Sequence, residues 1–251
     1  ATWQIDREQQ TIGYYERGSR RVCDVADCAV LQPELQARLE KVRATEWQQF
    51  PPMLKHLDVV EGENGVSFAP AFAEFQTNEL SLTVRGEVYQ YNAEAFFQIN
   101  PSLLGALIDF ALAEVAGERA LDLYSGVGLF TLPLARLFES VVAVEANSAA
   151  TRFARRSLQR AGLTNVRVVT ATVTDWIRSA SAEPADFVLL DPPRAGAESA
   201  VINGILRLNA PRISYVSCDP ATLARDLKKL VTGGYVVQSI AAFDLFPQTH
   251  H

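Results

Sequence analysis

From about Asn100 onward the chain alternates between short apolar segments and amphipathic ones, and few folds accept that rhythm. The apolar segments are 120–124, 141–146, 166–171, 187–191 and 213–218, rich in β-branched residues and nearly free of polar interruption. Strands of that texture are covered on both faces, as in a parallel sheet. Between them, 131–138, 149–161, 173–179 and 200–208 have helical spacing. Pro101 opens a further helix through Leu103, Leu104, Leu107, Ile108 and Leu112. Strand–helix alternation argues for an α/β fold with a doubly wound parallel sheet.

Residues 1 to 93 have a different texture. The stretches 11–15 and 81–91 alternate apolar and polar residues, as half-buried antiparallel strands do. Between them, Pro33 to about Phe50 reads as a helix with Leu35, Leu39 and Val42 on one face, and Gly62 to Gly65 as a hairpin turn. The expectation is a small α+β domain over 1–93 and an α/β domain over 94–251.

A chain of 251 residues has ample material for both cores. No apolar run approaches ~18 residues, so no membrane span is expected. The first residues lack the basic-then-apolar pattern of a signal peptide, which makes the cytoplasm the default. Three cysteines, Cys23, Cys28 and Cys218, are too few for a disulfide framework. The net charge of −6 does not advertise nucleic-acid binding, yet local basic faces can supply phosphate contacts. Arg152, Arg155, Arg156 and Arg160 form one such group; the ordinary alternative is a solvated helix face.

The first apolar strand runs into Tyr124-Ser125-Gly126-Val127-Gly128. Gly126 and Gly128 permit positive φ and let a ligand lie against bare backbone, although a lone Gly-x-Gly is often only a strand–helix turn. The second strand ends at Glu145, about 20 positions on, where a carboxylate can accept hydrogen bonds from ribose hydroxyls. A dinucleotide fingerprint would want a third glycine where Thr131 stands, and the loop has no lysine for a triphosphate. An adenosyl ligand without phosphates fits better. The fourth strand ends Asp191-Pro192-Pro193-Arg194, whose prolines stop the ladder and stiffen the exit. The fifth ends Ser217-Cys218-Asp219-Pro220, with Asp219 a good N-cap and Pro220 a good first helical residue. The positive end of that helix favours a thiolate at Cys218; an inert structural cysteine is the alternative.

Taken together, these segments resemble the RNA uracil-5 methyltransferases, which make 5-methyluridine in tRNA and 23S rRNA. The matching residues are 96–100 (Phe-Phe-Gln-Ile-Asn), 122–128, Val144-Glu145, 190–194, 217–227 and 243–250. The resemblance implies a Rossmann-like class I methyltransferase sheet that holds S-adenosyl-L-methionine. Gln98, Tyr124, Glu145 and Asp191 would contact the cofactor, Gly126 and Gly128 would pass beneath it, and Thr172 would lie by the adenine. It also implies Cys218 as nucleophile, with Asp191 orienting the ring, and Phe96 and Arg194 near a flipped-out base. The 1–93 domain then reads as an RNA-binding or central domain.

Two departures shape the remaining expectations. Relatives continue past the His250 region into a His-x-Glu run, whose glutamate is the base, and a closing strand; this chain stops at His251. The expectation is a truncated chain that lacks the last strand and either stalls as a covalent RNA adduct or folds poorly. Cys28 matches the last ligand of an iron–sulfur (4Fe–4S) cluster carried by many 23S rRNA relatives, but the three earlier cysteines are missing. No cluster and no other metal is therefore expected, and the Cys28 segment favours 23S rRNA over tRNA as partner. The other readings are a catalytically incompetent RNA- and cofactor-binding fragment, or a small-molecule or amino-group methyltransferase in which Cys218 has no role.

Overall fold

The computed structural model describes residues 1–95, 97, 100–179 and 184–245. It divides into two compact units, 1–82 with 90–99, and 83–89 with 100–251.

The first unit contains β1 (Thr2–Asp6), β2 (Thr11–Tyr15), β3 (Val22–Asp24), α1 (Pro33–Ala44), β4 (His56–Gly62) and β5 (Gly65–Ala69). The strands form one antiparallel sheet in the order β3-β2-β1-β4-β5. Leu35, Leu39 and Val42 of α1 are buried with Trp3, Leu57, Val59 and Phe68. The helix ends at Ala44, short of the expected Phe50, because the chain turns extended at Thr45. Phe50 then enters the core with Trp47 stacked on it at 4.9 Å. Gly13 is required where β2 meets β3: a Cβ there would lie 2.0 Å from the Cys23 carbonyl oxygen. A hairpin follows, β6 (Leu80–Val84) and β7 (Glu87–Tyr91). Its turn residues Arg85 and Gly86 both have positive φ, 52° and 83°, the geometry that suits the twist of a two-residue connection.

The second unit continues with α2 (Pro101–Ala111), β8 (Gly117–Leu123), α3 (Thr131–Leu137), β9 (Phe138–Glu145), α4 (Ser148–Arg160), β10 (Val166–Thr170), α5 (Val173–Ser179), β11 (Phe187–Leu190), α6 (Ser199–Leu208), β12 (Arg212–Tyr215) and α7 (Pro220–Thr232). Asn100, Asn147 and Asp219 cap α2, α4 and α7 by accepting backbone N–H bonds. The five strands pair in parallel in the order β10-β9-β8-β11-β12. The two-residue period sorts their side chains. Leu121, Leu123, Val142, Val144, Val188 and Leu190 share a core with Trp176, Ile177, Val201, Ile202, Ile205 and Leu230 from α5, α6 and α7. Helices α3 and α4 contact β8, β9 and β10. The inner stretches of the three central strands, 120–123, 141–144 and 187–190, are buried and apolar apart from Asp122, as a doubly covered parallel sheet demands. The expected strand over 213–218 stops at Tyr215. Beyond it Val216 N–H reaches across to Leu190 O at 2.8 Å, and the neighbouring chain turns into Pro192-Pro193. Among the described residues no helix is long and apolar enough to cross a membrane.

Candidate active site

Register brings the predicted residues to one edge. Val144, Leu123, Leu190 and Tyr215 pair in a single row across β9, β8, β11 and β12. The residues that follow, Glu145, Tyr124 and Asp191, therefore stand side by side at the carboxyl edge, with Cys218 three positions past Tyr215. Ligands in open α/β sheets bind along this edge, where the strand order reverses.

The turn after β8 is the most constrained part. Tyr124 has φ of 65°, uncommon for a bulky residue, followed by Gly126 at 54° and Gly128 at 96°. Ser125 N–H donates to Val144 O at 3.0 Å and Gly128 N–H to Ser125 O at 2.9 Å, closing the turn. Glu145 braces it from the next strand: its Oε2 accepts from Gly126 N–H at 3.0 Å and its Oε1 from Asn147 N–H at 2.7 Å. A Cβ added at Gly126 would meet nothing within 4 Å, so open space lies over the loop.

Beneath the turn is a residue that sequence reasoning missed. Asp122 is fully buried, and its Oδ2 accepts from Thr131 Oγ1 at 2.5 Å. Burial pushes its carboxyl up to about 7; the Thr131 hydroxyl opposes the rise, and Asp191 and Glu145 add to it. Asp122 Oδ1 and Ser125 Oγ are buried without a hydrogen-bond partner among the described residues. Unsatisfied oxygens under an open glycine turn suit a ligand that brings donors of its own. The available signal was an acid inside the otherwise apolar run Ala-Leu-Asp-Leu.

Asp191 is half-buried and its N–H donates to Leu123 O at 3.2 Å, which fixes the strand exit. Burial pushes its carboxyl up to about 6. Cys218 is exposed. Asp219 Oδ1 beside it accepts from Thr222 N–H at 2.8 Å, and that bond, with a smaller contribution from the Arg194 guanidinium, holds the Asp219 carboxyl below the usual carboxylate range. Arg194 thus stands near the Cys218 segment. Thr172 sits just beyond the edge, and its hydroxyl is occupied at the start of α5, donating to Asp175 Oδ2 at 2.7 Å. Phe96 and Gln98 lie outside the described residues. Cys28 lies in the first unit, where its N–H donates to Gln36 Oε1 at 3.1 Å. Among the described residues no three His, Cys, Asp or Glu side chains converge to hold a metal ion.

A sequence model of the family described as tRNA (Uracil-5-)-methyltransferase matches residues 71–251. The chain belongs to that family. Among its relatives is the 23S rRNA (uracil(1939)-C(5))-methyltransferase RlmD of Vibrio cholerae, 32% identical over 288 residues, covering 99% of this chain and 65% of the relative. RlmD of Pseudomonas putida is 34% identical over 288 residues, covering 99% and 64%. The chain thus spans just under two thirds of the length of these curated relatives. Among solved structures it resembles the Pyrococcus abyssi tRNA (uracil-54, C5)-methyltransferase in complex with S-adenosyl-L-homocysteine. The TM-score is 0.77 at 23% identity, over 99% of this chain and 72% of that one, and the likeness establishes the Rossmann-like methyltransferase fold.

Proposed function

We propose that this chain methylates C5 of a uridine in RNA with S-adenosyl-L-methionine as cofactor, through a covalent bond between Cys218 and C6 of the base. The observation that carries this reading is that Glu145, the Tyr124–Gly128 turn and Asp191 follow one row of paired strand residues, with Cys218 three residues past the end of the neighbouring β12. The cofactor, when bound, supplies an electrophilic methyl group on a sulfonium. Glu145 would accept bonds from the ribose hydroxyls, and the Gly126–Gly128 turn would lie under the ligand with no side chain to exclude it. Tyr124, Thr172 and Gln98 would complete the contacts.

Carbon 5 of uracil is a poor nucleophile, which explains the need for a thiol. The Cys218 thiolate adds at C6, forming the S–C6 bond and moving the ring's π pair to an enolate that C5 can use to attack. Asp191 would hydrogen-bond the ring and orient it, with Arg194 and Phe96 near the flipped-out base. A base then removes the C5 proton, the C5–C6 double bond re-forms and the thiolate leaves. No described residue is assigned to that last proton transfer.

RNA is the proposed partner and 23S rRNA the preferred class. The RlmD names of the relatives and the Cys28 segment both support that choice. The test is incubation with cofactor and 5-fluorouridine-containing rRNA or tRNA fragments, because fluorine at C5 blocks elimination. A stable adduct with rRNA, lost in Cys218→Ala, is the expected result. Methyl transfer that survives Cys218→Ala would overturn the mechanism, and an adduct with tRNA alone would overturn the substrate class.

A further inference from the structure

One carboxylate joins the loop that leaves β11 to the helix that follows Cys218. Asp226, on α7, is completely buried although the helix segment around it, Leu-Ala-Arg-Asp-Leu-Lys-Lys, is half charged. Its Oδ2 accepts from the Ala197 backbone N–H at 2.9 Å and from the Tyr215 hydroxyl at 2.8 Å. Arg225 donates to it twice, from Nε to Oδ1 at 2.9 Å and from Nη2 to Oδ2 at 3.1 Å. The same Nη2 also reaches Ala195 O at 2.9 Å. The Tyr215 oxygen in turn accepts from Ala197 N–H at 3.1 Å.

The loop can come this close only because Gly196 has no side chain. A Cβ there would fall 2.4 Å from Arg225 Nη2 and 2.5 Å from Asp226 Oδ2, and its φ is 77°. Three pieces of the site therefore meet at one buried group. The 195–197 backbone continues the Asp191-Pro192-Pro193-Arg194 segment. Tyr215 ends the strand that leads to Cys218. Asp226 itself lies in the helix whose cap, Asp219, adjoins Cys218. Burial pushes the Asp226 carboxyl up, but the Arg225, Tyr215 and Ala197 donors outweigh it and hold the group ionised, below its ordinary value. None of the proposed chemistry uses Asp226 directly.

We propose that Asp226 is a positioning residue that sets the placement of Asp191 relative to Cys218 by pinning the 195–197 loop, the end of β12 and α7 to one carboxylate. The inference rests on the reading of Cys218 as nucleophile. Both groups must address one pyrimidine ring, Asp191 at its polar edge and Cys218 at C6, so their separation governs the rate of addition. A misplacement near 1 Å can cost about a hundred-fold in such a step.

The test uses the whole 251-residue chain and two variants, Asp226→Asn and Tyr215→Phe. Asparagine turns one acceptor into a donor facing N–H groups; phenylalanine removes one donor and leaves the carboxylate. The readouts are thermal melting, S-adenosylhomocysteine affinity, affinity for unmodified RNA, and the single-turnover rate of adduct formation with 5-fluorouridine RNA. Folded Asp226→Asn should bind both ligands as the wild type does and form adduct about a hundred-fold more slowly. Tyr215→Phe should show the same pattern to a smaller degree. Wild-type adduct rates in the folded variants would overturn the inference, as would a loss of ligand affinity equal to the loss of rate. If Asp226→Asn does not fold, Tyr215→Phe decides alone by the same criteria. A wild-type chain that forms no adduct refutes the proposed function instead, so the two failures are distinct.

Discussion

Thr131, the first residue of α3, donates its hydroxyl to the Asp122 carboxylate of the central strand at 2.5 Å, wholly out of solvent. The bond ties the strand before the glycine turn to the helix after it, so the turn is clamped at both ends.

That clamp has a pH signature. The Asp122 carboxyl is pushed up to about 7 by burial, from an ordinary value of 3.8. Between those values the folded chain holds a proton that the unfolded chain has released, so stability falls as pH rises through the window. Asp191, pushed up to about 6, acts with the same sign over the lower part. Asp122→Asn keeps an oxygen for Thr131 and removes the larger titration. Urea unfolding across the window should show a falling stability in the wild type and a flatter profile in the variant. Parallel profiles would show that Asp122 is ionised throughout.

The two glycines of the turn should respond differently to a methyl group. At Gly126, with φ of 54° and nothing within 4 Å, alanine costs only the left-handed strain of about 1–2 kcal/mol. Its methyl group would project into the space proposed for the cofactor. At Gly128, φ of 96° is less accessible to alanine and the Cβ meets Leu132 Cδ1 at 3.2 Å. We expect Gly126→Ala to lose S-adenosylhomocysteine binding with modest loss of stability, and Gly128→Ala to lose more stability. Calorimetric titration with thermal melting separates them; normal binding by Gly126→Ala would remove the loop from the cofactor site.

The first unit offers a check on packing alone. Alanine at Gly13 places a carbon 2.0 Å from the Cys23 carbonyl oxygen, and backbone cannot yield as a flexible side chain can. The expected loss is at the upper end of the overpacking range, about 3 kcal/mol. Gly18→Ala, with nothing within 4 Å and φ of 75°, should cost far less. Equal denaturation midpoints for the two variants would contradict the close approach of β2 and β3.

What was legible in the sequence follows from where the information sits. The inner strands of the parallel sheet could be read because burial on both faces leaves a local mark, a short run of mostly apolar residues. The helix start at Asp219 could be read because capping is local chemistry. Asp122 left only the mark of an acid inside an apolar run, and Asp226 left none, because the groups that bury and satisfy Asp226 come from elsewhere in the chain. Asp226 looks like one more charge on a solvated helix, and only the fold brings Ala197 and Tyr215 onto it. Tyr124 gave no hint of its positive φ, since the turn that imposes it is completed by Glu145 and Val144 on the next strand.

Glu145 braces the turn and is the proposed acceptor for the ribose of the cofactor. Its two oxygens accept from Gly126 N–H at 3.0 Å and Asn147 N–H at 2.7 Å, which leaves each oxygen one further lone pair for a ribose hydroxyl. In Glu145→Gln one oxygen becomes an amide NH2, which faces a backbone N–H and loses that bond together with one ribose acceptor. Hydrogen bonds to charged groups contribute about 1.5–3 kcal/mol, so affinity for S-adenosylhomocysteine should fall roughly ten- to hundred-fold. Adenosine alone should lose a similar factor, since the ribose is the part affected. Titration of both ligands against wild type and variant measures this directly. Unchanged adenosine affinity with weakened S-adenosylhomocysteine would instead place Glu145 at the amino-acid end of the ligand.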